Sequence, residues 1–107
     1  MINSDKNIVL SLIKSTSEKI IPDCQILLFG SRARNDNVKY SDYDFLIITK
    51  ENIEISQKRN YKSQIRKILA QQKIPADILI QSESEVEMKR NIIGHIIRQA
   101  VKEGIII

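Results

Sequence analysis

Two aspartates separated by one residue, Asp42 and Asp44, are the side chains here best placed to do chemistry. Asp44 leads into the apolar run Phe45–Ile48, which has the length and composition of a buried strand. Alternate residues of a strand project to one face, so a strand over Asp42–Thr49 would hold both carboxylates side by side. Like charges held together repel unless a cation lies between them. That is the situation of a metal site or an active site.

Upstream, a second apolar run, Ile26–Phe29, ends on Gly30-Ser31-Arg32-Ala33-Arg34, and ten residues separate Ser31 from Asp42. A glycine at a strand end lets the backbone approach a phosphate, because no Cβ intervenes. Ser31 and the amides after it, at the start of a helical turn, can bind an anionic oxygen. Arg32 and Arg34 are placed to neutralise a triphosphate, although two arginines in a loop are also ordinary surface charge. Downstream, Asp77 stands at the start of a third apolar run, Ala76–Gln81. It can face the first two acids if the second and third strands pair in parallel; the plainer reading is a cap-like residue after Pro75. Hard oxygen ligands of this kind suit Mg²⁺, one ion or two, bridging protein and phosphates.

Helical periodicity supplies the elements that must position these groups. Ser4 or Asp5 can cap a helix with Ile8, Val9, Leu12 and Ile13 on one face, running to about Lys19 and ending before Pro22-Asp23. The strand Gln25–Phe29 follows, then a turn at Ser31–Arg34 and a loop at Asn35-Asp36-Asn37. A polar helix over about Ser56–Gln72 buries Tyr61, Ile65, Ile68 and Leu69, and its Lys/Arg-rich faces read as solvated. Glu83–Lys89 reads as a short helix. Asn91 can cap a last helix with Ile93, Ile96, Ile97, Ala100 and Val101 at helical spacing, stopped by Gly104. The tail Ile105–Ile107 must pack on this domain or on a partner. A short link between the first two strands permits antiparallel pairing, and the helix after the second permits a parallel crossover. The expected fold is α+β, two-layer, with a small mixed sheet of about three to four strands covered by helices.

The chain has 107 residues, enough for a single domain over 1–107. A net charge of +4 favours an anionic partner such as a nucleotide, or simply keeps a basic surface solvated. No aromatics are interleaved with a basic stripe, so direct nucleic-acid binding is not expected. Cys24, the only cysteine, fits a reducing cytosol, and no apolar run approaches membrane-spanning length, so the expected location is cytoplasmic. His95 has no His or Cys companion and is not expected to hold a metal. Tyr43, by strand alternation, should face away from the acids, while Ser41 could orient them through local hydrogen bonds.

The segment Gly30-Ser31-Arg32-Ala33-Arg34 … Ser41-Asp42-Tyr43-Asp44 resembles the signature of the DNA polymerase β-like nucleotidyltransferase superfamily. It is most similar to the minimal nucleotidyltransferase family found beside HEPN-domain partners. Ala76-Asp77-Ile78-Leu79 resembles the family's third acidic strand, and Ile96-Ile97-Arg98 … Glu103-Gly104 its closing helix. Asn35 stands where the family commonly has Gly, and Phe45 where many members have Leu; all three carboxylates are kept. The resemblance implies a nucleotidyltransferase fold with Asp42, Asp44 and Asp77 as catalytic residues and Mg²⁺ ligands. Gly30, Ser31, Arg32 and Arg34 would bind the phosphates. It further implies transfer of AMP from ATP to a hydroxyl, in this subgroup a tyrosine of a HEPN-domain toxin, so the chain would act as an antitoxin by AMPylation. Nucleotidylation of a small molecule of aminoglycoside type is an alternative, although such proteins usually add a helical domain. A non-catalytic module that docks a toxin or senses nucleotide is another.

Overall fold

The structure, a computed structural model, describes residues 6–107. The caps expected at Ser4 or Asp5 lie outside the described residues. Helix α1 (Lys6–Ile20) is followed by β1 (Gln25–Phe29), the short helix α2 (Ser31–Arg34), β2 (Tyr43–Thr49) and α3 (Ile55–Gln71). Then come β3 (Ala76–Ser82), α4 (Glu83–Lys89), α5 (Ile96–Glu103) and β4 (Ile105–Ile106). The sheet order is β3-β2-β1-β4, with β2 parallel to β3 and β1 antiparallel to both β2 and β4. This is the mixed α+β architecture expected, with four strands.

Strand alternation sorts the core onto the two faces of the sheet. Ile26, Leu28, Phe45, Ile47, Ile78 and Ile80 pack with Val9 and Ile13 of α1 and Ile65 and Leu69 of α3. On the other face Leu27, Phe29, Leu46 and Ile48 meet Val86 of α4 and Ile97 and Ala100 of α5. The second cover is thinner but it closes both faces, which is why β2 is buried along almost its whole length. Each fully buried Ile or Leu contributes about 1.5–3 kcal/mol. No helix among the described residues is long and apolar enough to cross a membrane.

Tyr43 packs in the first face, its ring stacked on Phe45 at 6.0 Å between centroids, and its hydroxyl has no hydrogen-bond partner among the described residues. A buried, unpaired hydroxyl is a cost that phenylalanine does not carry. Tyr43→Phe is therefore expected to leave urea-unfolding stability unchanged or raise it by about 1 kcal/mol.

The last helix differs from its sequence reading. Its cap is His95, whose Nδ1 accepts from the Ile97 amide, rather than Asn91. Gly94 adopts φ +81, which breaks any helix continuing from Asn91, and leaves Ile93 exposed rather than on a buried face. Gly104 ends the helix in extended conformation (φ −68, ψ 145) because the chain continues directly into β4 on the edge of β1. The apolar tail thus packs on this domain in part. The Ile107 amide donates to Ile26 O, while Ile105 and Ile106 keep exposed side chains.

Helix α4 begins at a capping box: Ser82 accepts from the Glu85 amide, and Glu85 accepts from the Ser82 amide. Glu85 also pairs with Lys58 of α3 at 2.7 Å. Burial acts to raise the Glu85 carboxyl, but these hydrogen bonds and the Lys58 charge outweigh it and hold it below the usual range.

Candidate active site

The strand register brings separate parts of the sequence to one end of the sheet. Phe29 pairs with Asp44 across β1 and β2, so the chain leaves β1 through Gly30 directly beside the Asp44 side chain. Asp44 is in turn the partner of Asp77 in the parallel β2–β3 ladder. Residues paired this way share a face, here the one covered by α4 and α5. Asp42 lies one residue ahead of β2 rather than inside it, because the ladder starts with the Tyr43 amide donating to Pro75 O. Asp42 is exposed, yet its charge is felt by Asp44.

Gly30 sits at φ 75, ψ −162, a region essentially reserved for glycine. A Cβ at this position would collide with Asp44 Oδ2 and lie 3.0 Å from Asp44 Cγ. The missing side chain is thus what lets the backbone and the carboxylate touch. The Gly30 carbonyl accepts from the Ala33 and Arg34 amides at 3.0 and 3.1 Å, closing the turn α2 that begins at Ser31. Asn35 ends that turn in the left-handed region, φ 62, where asparagine is tolerated in place of glycine.

The two arginines have different tasks. Arg32 donates through Nε and Nη2 to Ser41 O at 3.1 and 2.8 Å, and to Lys39 O at 3.3 Å. Its guanidinium also lies 4.3 Å from the Tyr43 ring centroid, on the face of the sheet away from Asp44. Its donors thus hold the loop before β2. Ser41 acts with it, its Oγ accepting from the Val38 amide at 2.9 Å. Arg34, by contrast, reaches toward the acids and lowers the Asp44 carboxyl by its charge.

Glu103, at the end of α5, was not singled out as a site residue by sequence reasoning. Its Oε2 accepts from the Gly30 amide, and its carboxylate pairs with Arg34 Nη1 at 2.9 and 3.1 Å. The contact spans 73 residues of sequence, so no local pattern could have exposed it. Burial first, then the charges of Asp77, Asp42 and Glu103, push the Asp44 carboxyl above its ordinary range, and Arg34 only partly offsets them.

Among the described residues no three carboxylate, histidine or cysteine side chains are already converged as a metal cage. Mg²⁺ does not need one, since it is commonly held by one or two carboxylates with water and phosphate completing its shell. An acid pair in register, Asp44 with Asp77, is a donor set that fits such an ion. Cys24 lies elsewhere, half-buried, and burial pushes its thiol up, away from the thiolate form.

Residues 12–107 match the family described as polymerase beta, nucleotidyltransferase. The chain belongs to that family. Its sequence is 36% identical over 45 residues to a probable protein adenylyltransferase MntA of Haemophilus influenzae. That stretch is 42% of this chain and 40% of the relative, so less than half of the relative's length is matched. In overall shape the domain is similar to a chain from a toxin–antitoxin with AMP-PNP, at TM-score 0.59 and 17% identity, covering 95% of this chain and 71% of that one. It is also similar to a chain of the complex of tri-AMPylated Shewanella oneidensis HEPN toxin with MNT antitoxin. There the TM-score is 0.51 at 17% identity, with 97% of this chain and 67% of that one covered. At such identities these likenesses speak for the fold alone.

Proposed function

We propose that this domain transfers AMP from ATP to a hydroxyl of a protein partner, a tyrosine of a HEPN-domain toxin, and so serves as its antitoxin. The observation that carries the reading is the juxtaposition of Asp44 and Asp77 in register with Gly30 seated against Asp44. The adenylyltransferase relative, although matched over 40% of its length, supports a protein acceptor. Residues 1–107 are read as one nucleotidyltransferase domain of the minimal type, working in the cytoplasm.

Asp42, Asp44 and Asp77 would hold Mg²⁺, which when bound supplies positive charge to the triphosphate and to the developing negative charge. Gly30 and Ser31 bring the backbone close to the phosphates, and Arg34 adds positive charge. The acceptor oxygen bonds to the α-phosphorus as the bond to the β-phosphate oxygen breaks, and pyrophosphate leaves. The hydroxyl proton passes to a carboxylate, for which Asp77 at the exposed edge is best placed.

Co-expression with the product of the adjacent gene, followed by intact-mass analysis, tests the reading. The partner is expected to gain the mass of one or more AMP groups with the native chain, and none with Asp42→Asn. Undiminished protection from the toxin by that variant would show neutralisation by docking alone.

A further inference from the structure

The Gly30 amide and Arg34 Nη1 are both taken by one carboxylate, that of Glu103, while Arg34 Nε pairs with Asp36. We propose that Glu103 stands in the phosphate position of this loop and sets nucleotide affinity by competing with the triphosphate for Gly30 and Arg34. The inference rests on the nucleotide-site reading above and names a residue that reading does not use.

Three observations carry it. The contact is charge-assisted on both sides, from a backbone amide and from a guanidinium, the same pair of donors that recognises a phosphate oxygen. Glu103 is held from both directions: it is the last residue of α5, and the chain beyond it is locked by Gly104 and by β4 on the edge of β1. A side chain at 104 would run into Ala100 O and crowd Leu27, so the close approach of α5 to β1 that places Glu103 depends on glycine there. Finally, the Glu103 side chain is only 19% exposed where it meets Arg34. An arriving triphosphate must displace this carboxylate or share donors with it, and either course weakens binding.

Other features of the molecule carry less. The cavity of about 570 Å³ bounded by Arg32, Lys39, Tyr40 and Pro75 holds cations already stacked on tyrosines. The exposed Met88, Ile92, Ile93 and Ile96 have nothing on the structure to say what covers them.

Binding of ATP without divalent cation, measured by calorimetry on the full chain, tests the proposal. Glu103→Gln keeps the shape but removes the charge and is expected to tighten ATP binding about tenfold, a change of about 1.4 kcal/mol. Glu103→Ala should tighten it at least as much. In the ligand-free protein the Gly30 amide proton is expected far downfield and should move upfield in Glu103→Ala, a shift that general loosening of α5 would not single out. Thermal melts establish that each variant is folded, and the glutamine variant serves if alanine unfolds. Wild-type binding that the variants merely equal, or that they weaken, overturns the role of Glu103 and leaves the nucleotide site standing. Failure of all three proteins to bind ATP both without divalent cation and with Mg²⁺ added overturns both.

Discussion

Asp44→Asn is expected to lower AMP transfer at least about a hundredfold, since substituting groups that merely orient a metal ligand already costs 10–100-fold. The same substitution should make the metal-free protein slightly more stable at neutral pH. Burial, followed by the charges of Asp77, Asp42 and Glu103, holds the Asp44 carboxyl above its ordinary range, so its ionised form is disfavoured in the folded state. The folded protein therefore binds this proton more tightly than the unfolded chain does, and stability falls as pH rises through the elevated folded pKa. Asparagine, lacking the charge, escapes that loss. The gain is a few tenths of a kcal/mol to about 1 kcal/mol, because the group is only partly buried and solvent screens it. Thermal melts in EDTA should show the variant above the native protein at pH 7, the gap closing as pH falls into the ordinary carboxylate range. Added Mg²⁺ should reverse the order, stabilising the native chain and not the variant. A variant less stable than the native protein in EDTA would mean that Asp44 is not repelled by its neighbours.

Gly30→Ala should be the most damaging single-methyl change at the site. Its backbone conformation costs about 1–3 kcal/mol for any other residue. The new methyl would also collide with Asp44 Oδ2, so either β1 or the carboxylate must move. Gly94→Ala provides the comparison: Gly94 also has positive φ, but a Cβ there meets nothing within 4 Å. It should lose about 1 kcal/mol from backbone strain alone and keep its transfer activity. Gly30→Ala should lose more stability in chemical denaturation and lose nucleotide transfer even well below its melting temperature. Equal costs at the two positions would show that Asp44 yields freely and that its contact with Gly30 is not a constraint.

The elements carrying the site were legible because their signals are local. Two short apolar runs bounded by Gly30 and by Asp42 and Asp44 can only be economical as strands, and Pro75 before Ala76–Ser82 marks the third. The start of α5 was misplaced at Asn91 because the isoleucines at 93, 96 and 97 fall at helical spacing whether or not the backbone follows. Gly94 was the available signal, a breaker inside the pattern. Strand β2 is one residue shorter than the apolar pattern predicts, since Asp42 is excluded by the ladder rather than by its residue type.

By itself the sequence determined the residue types that chemistry needs, the order of the strands' precursors and connections that permit a parallel crossover between β2 and β3. Those follow from periodicity, turn residues and connection length. Only the tertiary structure decided which charges meet. Register aligned Asp44 with Asp77, stacking on Tyr43 withdrew Arg32 from the acids, and β4 on the edge of β1 brought Glu103 to Gly30. Pairings between distant residues depend on how whole elements pack, and no local pattern encodes that.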